Sequence, residues 1–166
     1  MTFTATLDAR FGETDTPADW ARVSAVLAEA QLYWFTSVRT DGRPHTAPMV
    51  GLWLEESFVF CTGPAEQKAR NLVAHQAVTV TTGVNTWNAG LDVVIEGNAE
   101  RLTGLADMTA FADAYREKYT DEWDFTPTEA GFGEGDELAH VFRVTPSKIL
   151  AFAKSPHGQT RFTPTC

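Results

Sequence analysis

Short apolar runs separated by polar turns recur along the chain and predict mainly β-structure. Residues 32–38 are rich in aromatic and β-branched side chains, and a Thr-Asp-Gly-Arg turn at 40–43 separates them from a second run at 45–53. Asp-Gly between two such runs is a strong hairpin signal. A second turn at 54–57 leads into a third run at 58–62. The first half of the chain is therefore predicted to hold a three-stranded antiparallel meander.

Apolar residues at helical spacing mark three further segments, 16–30, 65–75 and 106–119. Thr16 and Pro17 suit the start of the first helix, as its cap and its first residue. Further strands are predicted at 77–82, 92–102, 138–144 and 149–153, with Gly97 as a possible bulge, Pro146 as an interruption and a last short piece ending at Phe162.

Two segments carry no such pattern. Residues 1–15 are expected to form an irregular N-terminal arm, and the acidic, glycine-rich residues 120–137 a surface loop. Six or seven short strands with scattered helices predict a mostly β protein with flanking helices, built as a closed or nearly closed antiparallel barrel. The helices are too few for a doubly wound parallel sheet. We expect one domain over residues 1–166.

The formal net charge of −9 changes the functional picture. It argues against non-specific binding to nucleic acid or to an anionic membrane, which attract basic surfaces. Two cysteines make no disulfide framework: Cys61 lies in an apolar run and reads as a small core residue, and Cys166 is the last residue. The chain starts without the features of a signal peptide and has no apolar run near ~20 residues. We expect a cytoplasmic protein.

One short segment stands out in this acidic chain. A strand ending in Thr62 is followed by Gly-Pro at 63–64 and by a helix with Lys68 and Arg70 in its early turns. Free N–H groups at a helix start attract anions, and the two cations can add charge-assisted bonds to phosphate oxygens. The alternative is a solvated helix face with two ordinary surface cations.

Two weaker features accompany it. Pro44 and Pro48 cannot both donate in a central ladder, so strand 45–53 is an edge or is bulged, and its free backbone groups suit either a ligand or a dimer contact. Aromatic side chains are frequent and suit a planar ring, a core or a dimer interface. His45 has no metal-ligand spacing around it, so no metal site is predicted.

The order of these features resembles the pyridoxamine 5′-phosphate oxidase-like superfamily, the flavin-binding split barrels. The features are the Asp-Gly-Arg-Pro turn at 41–44, the Phe-x-Phe-x-Thr strand at 58–62, the Lys-x-x-Asn-Leu helix at 68–72, the Asp-Val-Val-Ile-Glu-Gly strand at 92–97 and the Thr-Arg-Phe ending at 160–162. The resemblance covers about residues 32–162. It is closest to actinobacterial members that use the deazaflavin coenzyme F-420.

This resemblance implies an antiparallel split β-barrel that forms a homodimer with cofactor sites at the subunit interface. Strand 45–50 would line the flavin or deazaflavin ring, and the residues after the third strand would hold the phosphate. The oxidase has an arginine where this chain has Gln67, which favours a phosphodiester over a phosphomonoester. The implied cofactor-binding residues are His45, Pro48, Met49, Val50, Cys61, Thr62, Gln67, Lys68, Asn71, Trp87, Phe152 and Arg161.

The expected function is hydride transfer between reduced F-420 and an electron-poor small molecule. In such enzymes the cofactor supplies the chemistry and the protein binds and orients it. No catalytic side chain is identified from the sequence. Two alternatives stay open: an FMN-binding oxidoreductase of the same fold, and a non-enzymatic flavin-binding protein.

Overall fold

A computed structural model describes residues 2–165 of the chain, so Met1 and Cys166 lie outside the described residues. Strands are the commonest structure, with three α-helices among these residues. The elements are β1 (Thr2–Gly12), α1 (Trp20–Glu29), β2 (Tyr33–Val38), β3 (Pro44–Met49), β4 (Leu52–Leu54), β5 (Ser57–Thr62), α2 (Gln67–Ala74), β6 (Ala77–Thr82), β7 (Leu91–Leu102), α3 (Leu105–Tyr119), β8 (Pro127–Thr128), β9 (Gly131–Phe132), β10 (His140–Lys154) and β11 (His157–Thr165).

The strands close into an antiparallel barrel. The main sheet runs in the order β1-β11-β10-β7-β6-β2-β3, while β5 pairs with both β4 and β10. Because β3 continues into β4 after two residues, the path β2-β3-β4-β5-β10-β7-β6 returns to β2. This closed path confirms the predicted fold class, a mostly β protein built on an antiparallel split barrel.

The split lies along β10. Its first part, from His140 to Val144, pairs with β5, and its last part, from Ile149 to Lys154, pairs with β11. The other edge of β10 pairs with β7 throughout, with a register shift between Pro146 and Lys148. Proline has no N–H to donate, so a bulge keeps it inside the strand instead of ending it. The predicted interruption at Pro146 is therefore a bulge within one long strand.

Two apolar clusters surround the barrel wall. Inside it, side chains such as Phe35, Phe60 and Ile95 are fully buried, and α1 and α2 add Val23 and Leu72 from the barrel ends. Outside it, α3 packs on the other face of β4, β5 and β10 and buries a second cluster: Leu52, Val59, Met108, Phe111, Ala112, Tyr115, Phe132 and Val141. The outer face of β2 and β3 stays open, with Trp34 half exposed.

Three local predictions were wrong. The arm at 1–15 is not irregular: residues 2–12 form β1, which pairs with β11 at the opposite end of the chain. The first helix begins at Trp20 and is capped by Asp19, whose carboxylate accepts the Ala21 N–H, so Thr16 is not the cap. The predicted surface loop at 120–137 contains the short β8–β9 hairpin.

The predicted meander is also corrected. Strand 45–53 bends after Met49, so that β3 pairs only with β2 and the short β4 pairs only with β5. A strand that pairs first with one neighbour and then with another must bend between the two, as at the corner of a barrel. Across residues 2–165, no helix combines the length and apolarity required to cross a membrane.

Candidate functional site

The turn between β5 and α2 holds an anion-binding arrangement. The Gly63 N–H donates to Oε1 of Glu66 across 2.9 Å, and the Lys68 ammonium donates to Oε2 of the same carboxylate. The Lys68 side chain is only 12% exposed, so its head is held in place. Glu66 precedes α2 but does not cap it, since its side chain accepts no helix N–H. We call Gly63, Glu66 and Lys68 the anion cradle.

The charge on Glu66 is stabilised by these donors. Partial burial acts to raise the pKa of the carboxyl, but the bonds from Lys68 and Gly63 outweigh it and hold the pKa below its usual value. Glu66 is therefore ionised at neutral pH. The cradle's two donors thus bind one negative charge, that of the Glu66 carboxylate.

Behind the cradle, a chain of amides ties α2 to the barrel. Gln67 Nε2 donates to Asn71 Oδ1 across 2.8 Å, and Asn71 Nδ2 donates to Ser37 Oγ across 2.9 Å. Asn71 and Ser37 are buried, so this link lies inside the protein. Asn71 thus positions Gln67, and its own carboxamide is already engaged.

His45 lies next to this chain, opposite Ser37 in the β2–β3 ladder. Its Nδ1 atom is buried and finds no hydrogen-bond partner within the described part of the chain. A buried polar atom without a partner is uncommon, because it loses its water without replacement. This atom and the nearby cradle fit a polar ligand at this end of the barrel.

Cys61 and Thr62 point to opposite sides of β5, since successive residues of a strand alternate. Thr62 is buried in the row that faces the barrel interior, whereas Cys61 packs under α3 with the second apolar cluster. Burial raises the pKa of the Cys61 thiol to about 12, so it stays protonated at neutral pH. The implied role of Cys61 beside the same ring as Thr62 does not fit this geometry.

The bend after Met49 is held by α3. The Gly51 N–H donates to the Tyr119 hydroxyl across 3.1 Å, and the Gly51 carbonyl accepts from Lys118 Nζ across 3.0 Å. Both polar backbone groups of Gly51 are thus engaged, and Met49 is buried in the barrel core. Of the implied ring-lining segment, Pro48 is exposed and Val50 is half-buried.

Lys118 lies between aromatic rings at this bend. Its ammonium donates to the Tyr33 hydroxyl across 2.8 Å and lies 5.0 Å from the centre of the Tyr33 ring and 5.2 Å from that of Tyr119. Burial lowers the pKa of Lys118 to about 8. A small pocket of about 460 Å³ opens beside it, with Val50 and Trp123 in its walls.

A larger cleft of about 1250 Å³ opens beside β2, β6, β7 and the end of β10. Its walls carry the aromatic side chains of Trp34, Trp87 and Phe152. Trp87 is 82% exposed, and its ring lies 5.7 Å from that of His157. Lys154 spans the floor, bonded to the Asp92 carboxylate at 2.9 Å and to the Val84 carbonyl. An open cleft with aromatic walls suits a planar organic ring.

Comparison with known families identifies the chain. The family model described as pyridoxamine 5′-phosphate oxidase matches residues 20–153. The chain belongs to this family. The match confirms the resemblance to the oxidase-like superfamily, and it spans the barrel from α1 to the last part of β10.

Solved structures of the same fold share little sequence with it. The conserved hypothetical protein Rv2991 from Mycobacterium tuberculosis is 16% identical with a TM-score of 0.70, over 86% of this chain and 89% of that one. A structure described as an F420 reductase is 21% identical with a TM-score of 0.56, over 76% and 94%. An FAD-binding protein from Mycobacterium smegmatis is 17% identical with a TM-score of 0.56, over 89% and 98%. No curated protein sequence matches the chain.

Within this oxidase-family barrel, the implied site residues fall into two groups. Residues around α2 lie together at one end: His45, Thr62, Gln67, Lys68 and Asn71. Trp87 and Phe152 line the larger cleft, and Arg161 is exposed on β11 opposite Leu150. The cleft also includes Trp34, which lies on the same strand as Ser37, the partner of Asn71.

Sequence reasoning missed Glu66 and Ser37 as site residues and counted Trp34 only among the aromatic side chains that suit a ring, a core or an interface. Glu66 stands only two positions before Lys68, so its charge next to the expected phosphate position was a visible signal. Trp34 had a signal too, because in a predicted strand it faces the side opposite to its apolar neighbours Tyr33 and Phe35. Ser37 had none, since only the fold brings it to Asn71.

Proposed function

We propose that this protein binds coenzyme F-420 and transfers a hydride between it and an electron-poor organic molecule. The observation that carries the proposal is the nearly buried Lys68 ammonium beside the Gly63 N–H, where α2 begins. Such a pair of donors suits one phosphate group. Membership of the oxidase family and the fold shared with an F420 reductase support it.

The chain's own residues have distinct tasks in this proposal. Lys68 and the Gly63 N–H bind the phosphate, and the outer edge at Pro48 and Val50 contacts the ring. When bound, the reduced deazaflavin supplies the hydride. The aromatic walls of the cleft hold the acceptor, and we expect the proton to come from solvent, because the cleft is open.

We further propose that the working unit is a homodimer. In this proposal a twofold axis places each cofactor site at the subunit interface, where residues of both chains can complete it. The open outer face of β2 and β3, with Trp34 at 50% exposure, supplies an apolar contact surface. We also propose a cytoplasmic location, a compartment in which thiols such as that of Cys61 stay reduced.

A side-by-side titration with F-420 and FMN tests the cofactor. We expect tighter binding of F-420, followed by turnover when the loaded dimer receives enones or quinones as acceptors. Tighter binding of FMN would favour the FMN oxidoreductase of the same fold. Binding of either ligand without turnover would favour a flavin carrier. Absence of binding to both would contradict the proposal.

A further inference from the structure

The anion cradle is filled by the protein's own carboxylate. Glu66 accepts from the Gly63 N–H through one oxygen and from Lys68 through the other, so it uses both donors that a phosphate would need. A β-carbon added at Gly63 would lie 3.4 Å from Glu66 Oε1, which shows how closely the carboxylate sits against the turn. Any anionic ligand at this position meets Glu66 first.

The two charged side chains differ in freedom. The Lys68 side chain is 12% exposed and that of Glu66 is 52% exposed. Glu66 can therefore turn towards solvent when a ligand arrives, while Lys68 keeps its place. Even when turned away, the Glu66 carboxylate stays close to the position of the ligand's phosphate and keeps its negative charge.

The charge of the incoming phosphate decides how strongly Glu66 opposes it. A phosphomonoester carries about −1.5 to −2 charges at neutral pH, whereas a phosphodiester carries one. Coulomb repulsion scales with that charge. Lys68 is the single cation that the cradle provides, so its charge balances a phosphodiester and leaves a phosphomonoester with excess negative charge.

We propose that Glu66 is a specificity-determining residue, which selects a cofactor with a monoanionic phosphodiester over one with a dianionic phosphomonoester. The inference rests on the proposed function, because it assumes that the cofactor's phosphate binds in the cradle. It adds that a carboxylate two positions before the phosphate-binding lysine, and not the lysine itself, separates F-420 from FMN.

The test compares dissociation constants for FMN, F-420 and riboflavin in the full-length protein. The variants are Glu66→Gln and Glu66→Ala, and the matched control is Glu29→Gln, which removes one exposed negative charge from α1. We expect both Glu66 variants to bind FMN at least ~tenfold more tightly and F-420 less than ~threefold more tightly. Riboflavin has the FMN ring without the phosphate, and its affinity should change less than ~twofold.

Agreement between the Gln and Ala variants shows that the lost charge matters, since alanine cannot donate a new hydrogen bond. Thermal unfolding checks that both variants stay folded. The role of Glu66 is overturned if the Glu66 variants gain no more affinity for FMN than for F-420, or gain as much for riboflavin as for FMN. Either result leaves the proposed function standing. Failure of all three ligands to bind any variant overturns both.

Discussion

Asn71 donates its side-chain amide to the buried hydroxyl of Ser37 across 2.9 Å, and this bond fastens α2 to the inside of the barrel. The other end of the same carboxamide accepts from Gln67. Because Lys68 follows Gln67 on α2, the position of the cradle depends on this internal bond. The stability of the barrel and the geometry of the site are therefore linked at one residue.

Replacing Asn71 with alanine is expected to lower the free energy of unfolding by about 1–3 kcal/mol, since Ser37 keeps a buried hydroxyl without its partner. Urea unfolding measures the change. The exposed Asn98 on β7 is the control, and its replacement by alanine should change stability by less than ~0.5 kcal/mol. Equal effects at the two sites would show that the Asn71–Ser37 bond contributes little.

Replacing Lys68 with methionine is expected to weaken cofactor binding by about 1.5–3 kcal/mol, the range for a hydrogen bond to a charged group. Arg70 is an exposed cation on the same helix, so Arg70→Met serves as the matched control and should leave affinity nearly unchanged. Titration calorimetry gives both values. An unchanged affinity in Lys68→Met would remove Lys68 from the site.

Gly51→Ala is expected to destabilise the fold by about 1–3 kcal/mol, the usual cost of overpacking. The added methyl would overlap the ring of Phe58, which is fully buried, and would lie 3.0 Å from the Val59 carbonyl oxygen. Gly63→Ala is the control, because its nearest contact is the flexible Glu66 side chain at 3.4 Å. Comparable melting temperatures for the two variants would contradict the tight packing at Gly51.

Lys118 makes stability depend on pH. Burial lowers its pKa to about 8 from the 10.5 of a free lysine, so between these values the unfolded chain binds more protons than the folded one. Because of Lys118, the free energy of unfolding therefore increases as pH rises from 8 towards 10. Below pH 8 the lysine is charged in both states, and the full cost of burying that charge lowers the stability of the fold.

Urea unfolding at pH 7 and pH 9.5 checks this in the wild type and in Lys118→Met. We expect the free energy of unfolding of the wild type, relative to that of Lys118→Met, to be higher by about 1 kcal/mol at pH 9.5 than at pH 7. This value is discounted for the exposed half of the side chain. The buried tyrosines and Cys61 are common to both proteins. A difference that stays constant with pH would show that Lys118 is charged and well solvated.

Trp34→Glu is expected to dissociate the proposed homodimer, because it places a charge on the open outer face of β2 and β3. Light scattering after gel filtration measures the mass. Leu105→Glu is the control: Leu105 is 51% exposed, close to the 50% of Trp34, but lies at the start of α3. Loss of the dimer in both variants, or in neither, would argue against the β2–β3 face as the interface.

Local patterns predicted most of the barrel strands. β2, β5, β6 and β7 match their predicted bounds to within a residue, because their apolar runs and turn signals lie within a few positions of each other. β1 was missed, since its partner β11 stands at the other end of the chain and its own residues are mostly exposed. Edge strands of this kind carry little periodicity.

The sequence also pointed to the anion-binding turn through Gly63 and Lys68. Its placement of Cys61 beside the same ring as Thr62 did not hold, because successive residues of a strand face opposite sides. It did not show that Glu66 folds back onto Gly63, or that Trp34, Trp87 and Phe152 line one cleft. These relations depend on pairings between segments far apart in the chain, above all those of β10 with its three partners β5, β7 and β11. Neighbouring residues specify the elements because their interactions are local, whereas the closure of the barrel specifies which elements meet.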